Sequence, residues 1–137
     1  MQDLTPCRSL NFLLNDLRLF FADREEIELA LLIGSRASGQ VRKESDWDFA
    51  IQWRKGIPGI EVLAQTETLR RELASFLRIM PDEIDLVDLP AARLAMRAVV
   101  AEEGVMLKGD NTLLWSHFLL RTWGELEDFY WRKQHAA

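Results

Sequence analysis

The 137-residue sequence contains one cysteine, Cys7, so no disulfide can close within the chain. A reducing, cytoplasmic setting is the expectation that follows. Its two histidines, His117 and His135, stand far from each other and from the chain's paired acids. They do not make a zinc set and are expected on helix surfaces. No uninterrupted apolar stretch approaches the roughly 20 residues that span a bilayer, and the N-terminus lacks the charged-then-apolar pattern of a secretion signal. Basic excess is also missing: 17 Lys and Arg against 22 Asp and Glu leave a net charge of −5. A domain that grips a nucleic-acid backbone by itself is usually basic, so direct nucleic-acid binding is not expected. Repeats, low-complexity tracts and linkers are absent as well. With 48% hydrophobic and 28% charged residues, the chain has ordinary globular usage and reads as a single domain, residues 1–137, long enough to bury a core.

What is present is an alternation of helical and extended patterns. Leu10, Leu13, Leu14, Leu17 and Phe21 recur at helical spacing and predict an amphipathic first helix. Leu29 to Ile33 reads as a buried strand, Ser35 to Gly39 as a short helix, and Gln40 to Glu44 as a polar loop carrying Arg42 and Lys43. A second strand is expected over Trp47 to Trp53. A long helix follows from about Ile60 to Arg78, with Leu69, Leu73, Phe76 and Leu77 inward. Pro81-Asp82 breaks the chain before a third strand, Ile84 to Leu89. Pro90 is expected to open a helix that Gly104 ends, with Val105 to Leu107 extended beyond it. Asp110, Asn111 or Thr112 would cap a last helix reaching about Lys133. The order predicts an α/β fold with a small mixed sheet.

The last helix carries a broad apolar stripe: Trp115, Phe118, Leu119, Trp123, Leu126, Phe129 and Tyr130. Core packing explains such a stripe. Leu114, Leu120 and Trp131 add apolar surface off it, and an aromatic excess of this kind is typical of partner interfaces.

The chemistry concentrates where the first strand ends. Gly34-Ser35 follows the strand, ten residues separate Ser35 from Asp46, and Asp46 and Asp48 stand at i and i+2 at the start of the second strand. Side chains alternate along a strand, so both carboxylates point to one face, roughly 6.5–7 Å apart. Like charges held side by side repel unless a cation lies between them. Oxygen-only ligands favour Mg²⁺ or Mn²⁺. The Gly-Ser turn just upstream offers backbone N–H groups and a hydroxyl to phosphates. Together these residues describe a metal–nucleotide site. In the third strand Asp85 and Asp88 differ by three and fall on opposite faces, so only one can join the pair.

Gly34, Ser35, Asp46 and Asp48 at this spacing resemble the signature of the polymerase beta-like nucleotidyltransferase superfamily. More narrowly, the chain is similar to the minimal nucleotidyltransferase (MNT) antitoxins that partner HEPN-domain toxins. Ile84 to Leu89 resembles the strand that carries the family's third carboxylate, and Glu103 to Leu107 the short segment after it. The resemblance implies the polymerase beta-like nucleotidyltransferase fold. It also implies that Asp46, Asp48 and Asp85 hold Mg²⁺ (or Mn²⁺) and carry catalysis, with Asp85 as proton acceptor. Gly34, Ser35 and Arg36 would bind the nucleotide. Trp47 departs from the family pattern, where a smaller aliphatic separates the acids; it faces away from them and should pack under a helix.

The activity implied is transfer of AMP from ATP to a tyrosine hydroxyl of a HEPN ribonuclease toxin, which neutralises the toxin. Two alternatives remain at this level. One is a binding-only antitoxin with a vestigial nucleotide site. The other is a small-molecule nucleotidyltransferase, though the chain lacks room for an added substrate-binding domain.

Overall fold

Seven residues, Ile27–Ile33, form β1, the central strand of a four-stranded sheet. All but Glu28 are buried, as a strand covered on both faces must be. The computed structural model describes residues 10–38 and 46–136. Cys7, Gly39, Arg42 and Lys43 therefore lie outside the described residues. The other elements are α1 (Leu10–Ala22), α2 (Ser35–Ser38), β2 (Trp47–Trp53), α3 (Gly59–Leu77), β3 (Ile84–Asp88), α4 (Leu94–Glu103), β4 (Val105–Lys108) and α5 (Leu113–Gln134). The sheet order is β3-β2-β1-β4. β1 runs antiparallel to β2 and to β4, and β2 runs parallel to β3. This is the expected α/β fold with a small mixed sheet.

Two apolar layers flank the sheet. α1 and α3 supply Leu14, Leu17, Phe21, Leu69, Leu73 and Ala74 to one, against Ala30, Leu32, Trp47, Phe49, Ile51 and Ile84 of the strands. The other joins Leu29, Leu31, Ile33 and Ala50 to Leu89, Val100 of α4 and Phe118 of α5. Strand parity explains the division except at Ile27, which shares a layer with Ala30 and Leu32. The register shift between Ile27 and Leu29 is the cause: one extra residue on β1 turns the side chains over.

Several expectations are corrected. The helix after β3 does not begin at Pro90. Leu89–Ala91 form a tight 3₁₀ turn, Ala92 and Arg93 are extended, and α4 begins at Leu94. The turn buries Leu89 in the second layer. Phe76 is exposed rather than inward, though its ring lies 5.2 Å from that of Phe20. In α5 only Phe118 of the apolar stripe is buried, beside the unforeseen Thr122. Trp115, Leu119 and Leu126 are half-buried, whereas Trp123, Phe129 and Tyr130 are exposed. Leu114, expected off the stripe, packs against the second layer. For Phe129 and Tyr130 the reason is length. α5 has 22 residues and α4 only 10, about 33 Å against 15 Å at 1.5 Å per residue. The C-terminal half of α5 runs past its support. Thr112 is the cap: its hydroxyl accepts from the Trp115 N–H at 3.2 Å. Among the described residues no helix is long and apolar enough to cross a membrane.

One buried charge ties α4 to α5. Arg97 donates to the Ala92 carbonyl at 3.2 Å, to the Thr122 hydroxyl at 3.4 Å and to Glu125 Oε1 at 2.7 Å. Its side chain is 5% exposed while Glu125 keeps 43%. The hydrogen bond from Arg97 holds the Glu125 carboxyl below its ordinary range. Arg97→Ala should lower stability by about 2 kcal/mol or more, because buried donors and packing are lost together. Arg132→Ala breaks an exposed pair with Asp128 and should stay within about 0.5 kcal/mol of wild type. Urea unfolding of both variants checks the ranking; equal losses would show that the buried position of Arg97 confers nothing.

Candidate active site

The β1–β2 register sets Ile33 opposite Asp48, and the next residue, Gly34, turns with φ +79°. A Cβ on Gly34 would lie 2.5 Å from Asp48 Oδ2. The backbone conformation therefore demands glycine, and an added Cβ would also have to push the Asp48 carboxylate aside. The turn closes with the Ala37 N–H donating to the Gly34 carbonyl at 3.1 Å, and Ser35 opens α2. The Gly-Ser turn thus abuts one of the two acids directly, a contact that spacing alone does not reveal.

The parallel register between β2 and β3 pairs Asp48 with Asp85 and Ile51 with Asp88. Ala50 and Val87 pack on the α4/α5 layer, and Ile51, Ile84 and Leu86 on the α1/α3 layer. Alternation therefore puts Asp48 and Asp85 side by side on the α4/α5 side. Asp88 faces the other way. It lines a groove with Ile51, Trp53 and Leu86 of the sheet and Val62, Leu63 and Thr66 of α3.

Asp46 and Asp85 are exposed and Asp48 is half-buried. Burial, then the charge of Asp85, then that of Asp46, raise the Asp48 carboxyl above its ordinary value. Asp48 thus senses both other acids. Among the described residues, however, no three His, Cys, Asp or Glu side chains stand close enough together to hold a metal ion by themselves. The donors available are all carboxylate oxygens, the chemistry that suits a hard divalent cation.

Trp47 is 7% exposed, stacks on Phe49 at 6.2 Å and belongs to the α1/α3 layer. It packs away from the acids, as alternation requires. The Arg36 guanidinium lies 4.5 Å over the Trp47 ring. The structure therefore sets Arg36 against that indole. Arg36, Trp47 and Phe49 form a stack that no sequence motif announces. His117 and His135 are both exposed on or at the end of α5.

A family model described as polymerase beta, nucleotidyltransferase, matches residues 15–112. That span holds the Gly-Ser turn and all three acids. Solved structures with a similar fold come from toxin–antitoxin complexes. One is of a toxin–antitoxin with AMP-PNP, at 24% identity over 88% of this chain and 92% of that chain, TM-score 0.66. Another is of the MntA-HepT toxin–antitoxin, at 23% identity over 88% and 90%, TM-score 0.59. A third is of a tri-AMPylated HEPN toxin from Shewanella oneidensis in complex with MNT antitoxin, at 22% identity over 92% and 93%, TM-score 0.62. These identities establish likeness of fold. No curated protein matches the sequence.

Because the raised Asp48 carboxyl favours the neutral form in the folded state, its favourable contribution is complete below the ordinary value of 3.8 and is lost as pH rises through the folded value. Asp48→Asn in metal-free buffer should therefore melt higher than wild type at pH 7, and the gap should close below pH 3.8. A lower melt at neutral pH would mean that the carboxylate is held by favourable partners. Gly34→Ala should cost about 1–3 kcal/mol through strain and the clash with Asp48, measurable in the same melts.

Proposed function

Since the chain belongs to the polymerase beta nucleotidyltransferase family, whose model matches residues 15–112, we propose that it transfers AMP from ATP to a tyrosine hydroxyl of a HEPN-type ribonuclease toxin and serves as that toxin's antitoxin. The observation that carries this reading is the pairing of Asp48 with Asp85 immediately beside the Gly34-Ser35 turn. It puts two acids of one charge next to the backbone best suited to phosphate. The similar structures support the partner and the nucleotide, since one contains an AMPylated HEPN toxin with MNT antitoxin and another AMP-PNP.

Each residue has a distinct task. Gly34 lets the chain approach the phosphates without a side chain intervening. The Ser35 hydroxyl and turn N–H groups donate to phosphate oxygens. Arg36, held on Trp47, adds positive charge at the edge of the turn. Asp46, Asp48 and Asp85 would hold Mg²⁺ or Mn²⁺, which would supply charge neutralisation between the carboxylates and the triphosphate. Asp85 takes the tyrosine proton. The phenolic oxygen then attacks the α-phosphorus, the bond to the β-phosphate oxygen breaks, and pyrophosphate leaves with its electron pair. Tyrosine-bound AMP brings bulk and negative charge to the toxin, which blocks RNA cleavage.

Incubating the chain with α-labelled ATP, Mg²⁺ and a HEPN toxin tests the proposal: label should appear on the toxin. Asp46→Ala and Asp48→Ala should reduce labelling by on the order of 100- to 1000-fold or more. Asp85→Asn should slow transfer more than it weakens ATP binding, whereas Asp88→Asn, on the opposite face, should do little to either. Folded Asp48→Ala that labels at the wild-type rate would overturn the site. Neutralisation without any label would favour a binding-only antitoxin.

A further inference from the structure

α5 presents a second, unused face. Phe118, Thr122 and Glu125 turn toward α4 and the second core layer. On the opposite side, Leu113, His117, Leu120, Gly124, Asp128 and Trp131 recur at spacings of three and four, which places them along one line of the helix. Leu113, Leu120 and Trp131 on this line are 76%, 70% and 60% exposed. Three large apolar side chains facing water on one seam are not explained by the domain's own packing.

Gly124 is the second, independent observation. Glycine is the poorest helix former after proline, and it lies in the interior of the helix. A Cβ there would meet nothing within 4 Å. No close approach inside the chain requires it, and its φ is not in the left-handed region. A glycine on the outer line of a helix, flanked by exposed Leu120 and Trp131, is what a closely crossing second backbone needs.

We propose that this face pairs with the same face of a second copy of the chain, the two α5 helices crossing antiparallel at Gly124. The seam is self-complementary about that residue. Trp131 lies seven residues after Gly124 and His117 seven before it, so each indole meets the other helix beside His117 and Leu120. Arg121, three before, pairs with Glu125 of its own helix, and Asp128, four after, with Arg132; the crossing sets these two exposed ion pairs side by side on one flank, with Arg121 of one copy beside Asp128 of the other. Residues contact in reciprocal pairs, as a two-fold interface requires. Trp131 is already held by stacking on His135 at 4.2 Å, so less side-chain freedom is lost on association. This pairing does not rest on the reading of the acids.

Sedimentation equilibrium of the chain alone, over about 1–200 μM, tests it across the affinity range of weak to moderate self-association. The wild type should shift from monomer to dimer across that range. Gly124→Leu should weaken dimerisation at least tenfold while the melt of the dilute monomer stays equal or rises, because the added side chain enters open space and favours helix. Trp131→Ala should weaken it similarly. Arg121→Asp should weaken it, and Arg121→Asp combined with Asp128→Arg should restore it. A wild type that stays monomeric throughout overturns the proposal, including the case where another protein alone covers this face. Dimerisation unchanged by Gly124→Leu overturns the crossing at that residue.

Discussion

Two carboxylates of like charge stand beside each other because the strands that carry them are locked in register. Asp48 pairs with Asp85 across the parallel β2–β3 junction. Asp48 is also held at the end of β1 through the antiparallel pairing of Ile33. Neither acid can move away without disturbing a ladder of backbone hydrogen bonds. Burial first, and then the charges of Asp85 and Asp46, push the Asp48 carboxyl upward in the free chain. In the proposed function a divalent cation would sit between these acids and would offset their mutual repulsion.

The rest of the domain serves that register. β1 is buried on both faces, and each face is closed by its own pair of helices. The parity of β2 sends Trp47, Phe49 and Ile51 to the α1/α3 layer and frees Asp48 for the other side. Even the departure at Trp47 follows the rule: its ring fills the α1/α3 layer, stacks on Phe49 and underlies Arg36. A large aromatic between two acids is tolerated because the acids and the ring occupy opposite faces.

α5 shows the opposite regime. Its first half is fastened by the Thr112 cap, by Phe118 and by the Arg97 network. Beyond Glu125 it outruns α4, and its aromatic residues face water. The same amphipathic pattern thus has two fates, decided by whether another element lies underneath.

Local regularities were legible in the amino-acid order. Period-two and helical patterns located β2 and α3 nearly residue by residue. The Gly-Ser spacing marked the turn, and the three-residue offset separated Asp85 from Asp88. Each depends on a few adjacent residues and on the fixed geometry of a strand or helix. Tertiary structure alone decided what distant segments do to one another. It brought Gly34 against the Asp48 carboxylate, laid Arg36 on Trp47 and buried Arg97 against α5. It also left Phe129 and Tyr130 exposed on a stripe that helical spacing assigns to the core. Those outcomes follow from strand register and helix length relative to a neighbour. Periodicity states which side of an element is apolar, but only the assembled fold determines whether anything is there to meet it.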